Sequence, residues 1–230
     1  MPIPAQAIAA GAAAILAPAG TVLDDLRAVL VAEPEPRRAF ALAAARFFGA
    51  QPEVMAAVTG TNGKTSTVTF CRQMWTLAGH RAASLGTLGV SSPGLNTHGG
   101  LTTPDPAGLH RLLADLARDG ISHAALEASS HGLDQHRLDG LTLRAAAFTN
   151  LTRDHLDYHH DMDSYARAKL RLFQDLLPSG AAAVVNADAD PSAGILDIAR
   201  ARGLRVLRYG TAGVELRLDA AHPTPEGQDL

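Results

Sequence analysis

Cysteine is almost absent from this sequence of 230 residues, since Cys71 is the only one. A lone cysteine cannot form an internal disulfide, which excludes a disulfide-stapled secreted scaffold. The shortage favours a reducing compartment, and we predict a cytoplasmic protein. Cys71 itself is expected to act as a small buried apolar residue rather than as a nucleophile.

Positive charge and long apolar runs are also lacking. The 20 Lys and Arg residues face 23 Asp and Glu, for a formal net charge of −3, which argues against a nucleic-acid-binding surface. The apolar stretch Ile8–Pro18 is shorter than the ~20 residues that a bilayer needs, and it contains Gly11. We therefore predict no nucleic-acid partner and no membrane span, and we interpret Ile8–Pro18 as a buried helix and strand.

The sequence does contain enough apolar residues for a core, at 47%, and these occur in short runs that alternate with helical segments. Strands are predicted at Ala13–Ala17, Ala28–Ala32, Val54–Thr59, Ala82–Leu85, His123–Leu126, Ala145–Thr149, Ala182–Asn186 and Arg205–Tyr209. Helices are predicted at Arg37–Phe48, Thr65–Ala78, Pro106–Arg118, Ser164–Leu176 and Ser192–Arg202. This alternation predicts an α/β fold, a mostly parallel sheet with helices on both faces.

Proline and glycine punctuate the early chain at Glu33–Arg37 and Gly49–Pro52, which predicts a domain boundary near residue 50. Residues 1–49 are too few to close a core alone, since independent folding becomes marginal below about 40–60 residues. We expect 1–49 to be the tail of one domain and 50–230 to be a second domain that is itself truncated.

The strongest motif is a glycine-rich loop between a strand and a helix. Strand Val54–Thr59 runs into Gly60–Thr65, with the sequence GTNGKT. Such loops turn their backbone N–H groups toward a phosphate at a helix N-terminus, where Lys64 adds a charge and Thr65 a Mg²⁺ ligand. The usual template has a glycine where Val58 stands, so the loop is a variant. We predict a nucleoside triphosphate site.

A second polar residue follows another apolar strand. Glu127 comes at the carboxyl end of the run 123–126, the edge at which ligands bind in open α/β sheets. A carboxylate there suits Mg²⁺, held directly or through water. The alternative is that Glu127 is a surface helix cap.

The stretch Asn150–Asp161 is rich in histidine and acid and also follows a strand. His155 and His159, four residues apart, make a zinc site conceivable, but the glutamate of the common zinc helix is missing. A role beside the nucleotide is favoured, and a solvated loop is the other alternative.

Lys169 lies on the apolar face of its predicted helix, three or four residues from Tyr165, Ala166, Leu172 and Phe173. A charged lysine is expensive to bury unpaired, so such a lysine is usually neutralised, paired or chemically altered. It could instead extend to the helix edge and keep its charge in water.

Four segments of the sequence together resemble the Mur ligases. They are Gly60–Thr67 (GTNGKTST), Leu101–Pro106 (LTTPDP), Glu127–Arg137 (EASSHGLDQHR) and Phe148–Phe173 (FTNLTRDHLDYHHDMDSYARAKLRLF). The loop alone would fit the whole superfamily, including folylpolyglutamate synthases. The other three segments are similar to the members that add the third residue, usually meso-diaminopimelate, to UDP-N-acetylmuramoyl-L-alanyl-D-glutamate.

This resemblance implies an ATP-dependent, amide-forming ligase of peptidoglycan precursor synthesis, which works through an acyl phosphate and releases ADP and phosphate. It implies a P-loop central domain in residues 50–230 and, in 1–49, the end of a UDP-substrate-binding domain. A third domain that selects the amino acid has no counterpart here, so activity would need that domain or a partner chain. Whether the added amino acid is diaminopimelate or lysine stays open.

The resemblance also assigns residues. ATP would be held by Gly60, Thr61, Asn62, Gly63, Lys64, Thr65 and Ser66. One Mg²⁺ would be held by Thr65 and Glu127, and a second by Glu127, His155 and Lys169, the last as a carbamate. The catalytic candidates are Lys64, His155 and Lys169. The UDP-N-acetylmuramoyl-dipeptide would be held by Thr102, Thr103, Ser129, Gln135 and Arg137.

Two alternatives remain beside this interpretation. A related ligase such as a folylpolyglutamate synthase would share the loop. A catalytically incomplete half that only binds nucleotide would also fit the length. From the residues alone, the five dipeptide-binding candidates could be ordinary turn and capping residues.

Overall fold

The computed structural model describes residues 3–23, 27–97, 101–190, 192–225 and 227–229. The chain begins with helix α1 (Ile3–Ala9), strands β1 (Ala14–Pro18) and β2 (Val29–Glu33), and helix α2 (Pro36–Phe48). Strands β1 and β2 pair in parallel as a separate two-stranded sheet.

The strand predicted within 8–18 is present as β1, whereas helix α1 ends at Ala9 and covers only the first two residues of that stretch. The prediction that the stretch is buried was wrong for most of it. Only Ile8 and Ala17 are buried, at 6% and 8% exposure. A two-stranded sheet that α1 and α2 contact has too little cover to bury the rest.

A nine-stranded sheet forms the centre of the fold. Its strands are β3 (Val54–Thr59), β4 (Ala82–Gly86), β5 (Gly89–Ser92), β6 (Leu95–Thr97), β7 (His123–Glu127), β8 (Ala145–Phe148), β9 (Ala182–Asn186), β10 (Arg205–Gly210) and β11 (Leu216–Arg217). The order is β11-β10-β9-β8-β3-β7-β4-β5-β6, in which β5 pairs antiparallel with both β4 and β6 and all other pairs are parallel. Strands β12 (His222–Thr224) and β13 (Gly227–Asp229) pair with each other.

Helices cover both faces of the sheet. They are α3 (Lys64–Leu77), α4 (Pro106–Arg118), α5 (Ser130–Asp134), α6 (Leu156–His159), α7 (Met162–Arg171), a π-helical segment (Leu172–Leu176) and α8 (Ser192–Arg202). On one face Val68 of α3 packs against Val58 and Ala125. On the other, α4, α8 and the π-helical segment pack against the alternate strand residues, such as Ala57 and Leu126. The predicted fold class is confirmed.

Every predicted strand and helix is present with small differences in its bounds, except that the helix predicted at Ser164–Leu176 divides. It begins two residues earlier, where Asp161 caps it by accepting a hydrogen bond from the Ser164 N–H at 2.7 Å, and its last turn is π-helical. None of the described helices is long and apolar enough to cross a membrane.

The strand register fixes where the functional loops lie. Val58 pairs with Glu127 and Thr59 pairs with Phe148, so β3, β7 and β8 end side by side. The segments that follow them, beginning at residues 60, 128 and 149, therefore meet at one edge of the sheet.

Candidate active site

The glycine-rich loop turns directly from β3 into α3. Gly60 has φ of 139° and Gly63 has φ of 86°, a region that favours glycine. A Cβ at Gly60 would also collide with Thr149 Oγ1 and the Asn150 backbone. The first amides of α3 lack intrahelical acceptors and point out of its N-terminus, which is the arrangement that holds a phosphate.

The segment after β8 holds this loop in shape. The Asn150 carbonyl accepts the Thr61 N–H at 2.8 Å, and the Asn150 Oδ1 accepts the Asn62 N–H at 2.9 Å. The Thr149 hydroxyl donates to the Asn62 carbonyl at 2.6 Å, and the Thr152 N–H donates to Thr61 Oγ1 at 3.0 Å. The start of the polar stretch therefore lies beside the phosphate loop, as the favoured interpretation expects.

Glu127 joins the loop to the neighbouring strands. Its side chain is 1% exposed and accepts a hydrogen bond from Thr65 Oγ1 at 2.8 Å, so it is not a surface cap. Thr87, in the turn after β4, donates its N–H to Oε1 at 2.9 Å and its hydroxyl to Oε2 at 3.3 Å. Gly86 leaves the room for this carboxylate, because a Cβ there would overlap it.

The two lysines of the chain meet at one carbonyl oxygen. Lys64 Nζ donates to Gly60 O at 3.0 Å and to Thr61 O at 2.8 Å, and Lys169 Nζ donates to Gly60 O at 2.8 Å. Lys169 is 2% exposed, with its Nζ 4.3 Å from the Tyr165 ring centroid. Lys169 is therefore buried, and the alternative of an extended, solvated lysine is wrong.

Burial also changes the acid–base properties of both lysines. It lowers the pKa of Lys169 to about 7, with a further contribution from the positive charge of Lys64. It lowers the pKa of Lys64 as well, although Glu127 and Asp154 act in the opposite direction. A lysine with a pKa of about 7 is about half neutral amine at pH 7, and a neutral amine is a nucleophile.

His155 adjoins these groups through Tyr165, with the two ring centroids 6.2 Å apart. Its side chain is 47% exposed, and its Nε2 is 3.5 Å from an oxygen of Asp154. Within the described residues it has no recorded contact with Glu127 or Lys169, so its assignment to a second Mg²⁺ stays a prediction. His155 and His159 are the residue before α6 and the last residue of α6, and the described chain has no group of three metal-binding His, Cys, Asp or Glu side chains. The zinc alternative gains no support.

Four of the five dipeptide-binding candidates form one hydrogen-bonded network, and Thr102 is linked to it through Thr87 and Glu127. Thr103 Oγ1 contacts Ser129 Oγ at 2.9 Å, and the Thr103 carbonyl accepts from Arg137 Nη1 at 2.7 Å. Gln135 Oε1 accepts from Arg137 Nη2 at 2.6 Å. Thr102 joins through a 3.0 Å hydroxyl contact with Thr87.

Two clefts lie near this network. One of about 240 Å³ is lined by Gln135 and Arg137 together with Arg37, Phe40 and Leu101. The larger, of about 560 Å³, is lined by Tyr158, His159 and Arg171, and the phosphate loop lines neither cleft. Because Gln135 and Arg137 line the smaller cleft and not the larger one, the smaller cleft is the candidate site for the dipeptide.

The donor set fits Mg²⁺ and a nucleotide. The Thr65 hydroxyl and the Glu127 carboxylate are hard oxygen donors of the kind that Mg²⁺ prefers. The loop offers backbone N–H groups and Lys64 to phosphate oxygens.

Sequence reasoning missed four residues that shape the site: Thr87, Thr149, Tyr158 and Tyr165. Tyr158 accepts from Gln135 Nε2 at 3.0 Å, and Tyr165 contacts Thr61 Oγ1 through its hydroxyl at 3.2 Å. Thr87 and Thr149 each follow a strand at the carboxyl edge of the sheet, which was the available signal. No sequence signal pointed to Tyr158 or Tyr165, because their hydrogen-bond partners are distant in sequence.

Comparison with known proteins agrees with this geometry. Residues 58–230 match the family model described as the Mur ligase middle domain. A protein of Bradyrhizobium diazoefficiens named UDP-N-acetylmuramoyl-L-alanyl-D-glutamate–2,6-diaminopimelate ligase is 55% identical over 90% of this chain and 42% of its own length. A protein of Caulobacter vibrioides with the same name is 54% identical over 97% of this chain and 47% of its own. The chain thus spans less than half the length of these curated relatives.

Solved structures give the same picture. A structure of a ligase with that name aligns with a TM-score of 0.84 and 31% identity, covering 97% of this chain and 46% of the other. Escherichia coli FolC, solved with DHPP and ADP, aligns with a TM-score of 0.61 at 19% identity, over 84% of this chain and 51% of its own, which shows a shared fold alone. Because residues 58–230, which form the site described above, match the Mur ligase middle domain, the chain belongs to the Mur ligase family.

Proposed function

We propose that this chain supplies the phosphate and acid-substrate sites of an ATP-dependent ligase that adds diaminopimelate to UDP-N-acetylmuramoyl-L-alanyl-D-glutamate. The γ-phosphoryl group of ATP would pass to the terminal carboxylate of the dipeptide. The incoming amine would then attack the acyl carbon, and phosphate would leave as the amide forms.

The observation that carries the proposal is the double use of Glu127. Its side chain accepts from Thr65 of the phosphate loop, while its backbone carbonyl accepts from Thr103 of the dipeptide network at 3.0 Å. One buried residue therefore joins the two sites. This adjacency supports transfer between a nucleotide phosphate and a carboxylate, since such catalysis depends mainly on positioning and electrostatics.

The residues of the loop would hold and orient the nucleotide. Backbone N–H groups of residues 63–66 and the Lys64 ammonium would bind phosphate oxygens, and Lys64 would exchange its loop carbonyls for them. Thr65 and Glu127 would hold Mg²⁺, which would neutralise part of the phosphate charge when bound.

Lys169 suits carbamylation. Its low pKa leaves a neutral amine whose nitrogen would add to the carbon of carbon dioxide and release one of its two protons to water, while the remaining N–H can still donate to Gly60 O. The product is an anion in place of a buried cation, which is the sign of charge that a second Mg²⁺ requires.

On the acid side, Arg137 and Gln135 would hold a carboxylate of the dipeptide, with Thr102, Thr103 and Ser129 as hydrogen-bonding groups beside them. The relatives named as diaminopimelate ligases support that amino acid as the one added. The two-domain division at residue 50, the cytoplasmic location and the need for a further domain or partner chain stay predictions of this proposal.

The test uses a chimera in which residues 1–230 replace the matching part of the Caulobacter vibrioides relative. We expect phosphate release that requires ATP, Mg²⁺, UDP-N-acetylmuramoyl-L-alanyl-D-glutamate and diaminopimelate. Lys64→Ala should abolish it, whereas Arg200→Ala, on the exposed face of α8, should not. Turnover with dihydropteroate instead would favour a folylpolyglutamate synthase. ATP binding without turnover would favour an incomplete nucleotide-binding half.

The same chimera tests the carbamate. Lys169→Ala should abolish activity, and short-chain carboxylates should restore part of it by taking the place of the carbamate. Full activity of the variant without any additive would refute the carbamate.

A further inference from the structure

Arg171 makes a second set of contacts from the helix that carries Lys169. Residues 169 and 171 are two positions apart on α7, which places them about 200° apart around the helix axis. Lys169 points to Gly60 of the phosphate loop, while Arg171 points to the segment 133–139. Helix α7 therefore lies between the phosphate loop and that segment.

The segment 133–139 carries two of the dipeptide-binding candidates. Gln135 is the C-cap of the short helix α5, and Arg137 follows it two residues later. Between them His136 has φ of 58°, in the left-handed region that non-glycine residues rarely adopt. A segment in this conformation needs neighbours to hold it.

The Arg171 guanidinium supplies those contacts. Its Nη1 donates to the Leu133 carbonyl at 2.8 Å, a carbonyl of the last turn of α5. Its Nη2 donates to both carboxylate oxygens of Asp139, at 2.7 and 2.8 Å, and to His136 Nδ1 at 2.9 Å. Its Nε is 3.1 Å from Asp175 Oδ2. All three nitrogens are engaged in a planar fork that lysine could not reproduce.

Asp139 also connects the segment 133–139 to helix α2. Its side chain is 4% exposed and lies 3.3 Å from Arg38 Nε, and Gln51 Nε2 donates to the neighbouring Gly140 carbonyl at 2.8 Å. The segment is thus held from α7 and from the early part of the chain together.

We propose that Arg171, with Asp139, is a positioning residue that sets where Arg137 and Gln135 stand relative to Lys169. The inference rests on the proposed function of those residues and adds to it the group that fixes their spacing. A dipeptide carboxylate held by Arg137 must reach the phosphate bound near Lys169, so a displaced Arg137 would bind that carboxylate more weakly and raise the KM for the dipeptide.

The activity test compares Arg171→Met with Arg167→Met in the chimera. Arg167 lies one turn earlier on α7, is exposed, and donates to Ser164 of its own helix at 2.7 Å. We expect Arg171→Met to raise the KM for the UDP-N-acetylmuramoyl-dipeptide by about tenfold or more and to leave the KM for ATP unchanged. For Arg171→Lys we expect a KM for the dipeptide between those of the unmodified chimera and Arg171→Met. A variant that merely folds less well would lower kcat and leave both KM values unchanged, which would overturn the proposal.

The second test needs no ligase activity. Amide hydrogen exchange of the 230-residue chain should become faster in residues 132–139 of Arg171→Met and stay unchanged there in Arg167→Met. If Arg171→Met does not fold, Asp139→Asn combined with Arg171→Met removes both charges together and takes its place in both tests. Unchanged exchange in 132–139 would overturn the positioning role, whereas an inactive unmodified chimera would overturn only the proposed function.

Discussion

Replacing Lys169 with methionine should stabilise the protein at neutral pH. The pKa of this buried lysine falls from 10.5 to about 7, and at about 1.4 kcal/mol per pH unit the difference corresponds to about 5 kcal/mol against folding when the unfolded lysine is fully charged. At pH 7 about 4 kcal/mol of this cost remains. The 2.8 Å hydrogen bond to Gly60 O and the contact with the Tyr165 ring offset about 1–2 kcal/mol. We therefore expect Lys169→Met to gain about 2 kcal/mol at pH 7.

The sign of the pH dependence follows from the direction of the shift. The unfolded lysine binds a proton up to its ordinary pKa, while the folded one releases it near pH 7, so the unfolded state holds more protons between these values. The cost is fully present below pH 7 and disappears as the pH rises toward 10.5. From pH 7 to pH 9 the wild-type protein should gain about 2–3 kcal/mol relative to the variant.

The assay is urea unfolding of the 230-residue chain at pH 6, 7, 8 and 9, in buffer free of carbon dioxide and Mg²⁺. Lys64→Met is the control, because Lys64 is only partly buried and two carboxylates favour its charge. If the free energy of unfolding changes with pH by the same amount in the wild-type protein and in Lys169→Met, the argument is refuted. Such a result would mean that Lys169 is solvated or paired in the folded state.

Three further outcomes follow from other parts of the fold. His123 stacks on His80 with ring centroids 4.0 Å apart, and burial together with that neighbour lowers its pKa. The folded protein therefore favours neutral His123, so protonation at low pH destabilises it. We expect the melting temperature of His123→Phe to fall less between pH 7 and pH 5 than that of the wild-type protein. Gly86→Ala should weaken Mg²⁺-dependent ATP binding in calorimetry, because its Cβ would displace the Glu127 carboxylate. Leu113→Ala, at a fully buried position of α4, should cost about 2–5 kcal/mol in urea unfolding.

Long periodic elements were predictable because their pattern is local. The strand at Val54–Thr59 reads as an apolar run, and the helix at 106–118 opens with proline and an aspartate cap that accepts the Gly108 N–H. The short helices α5 and α6 and the antiparallel strands β5 and β6 were not predicted. Their residues carry little periodicity, and tertiary contacts hold them instead, as Arg171 does for the end of α5.

The site was predictable to the extent that its residues follow strands. Gly60–Thr65 and Glu127 each come directly after a buried strand, and parallel pairing brings such positions to one edge. The resemblance supplied Arg137, and the apolar face of its helix had already singled out Lys169, but neither signal gave the contacts that hold these two residues in place. The link through Arg171, Leu133 and Asp139 depends on which residues helix α7 meets on each side, and no local pattern encodes that.

The distribution of the two lysines is a chemical argument for the proposed site. The chain has 20 Lys and Arg residues, and only Lys64 and Lys169 are lysine. Arginine forms the structural ion pairs, as in the bidentate contact of Arg208 with Glu215. Arginine stays charged at any pH that a protein meets, whereas lysine can lose its proton and react. Both lysines donate to Gly60 O and burial lowers the pKa of both, so the two amines that burial shifts toward the neutral form lie at the phosphate loop. Arginine could supply a fixed positive charge there but not a neutral amine, so a buried lysine at position 169 supports the carbamylation proposed above.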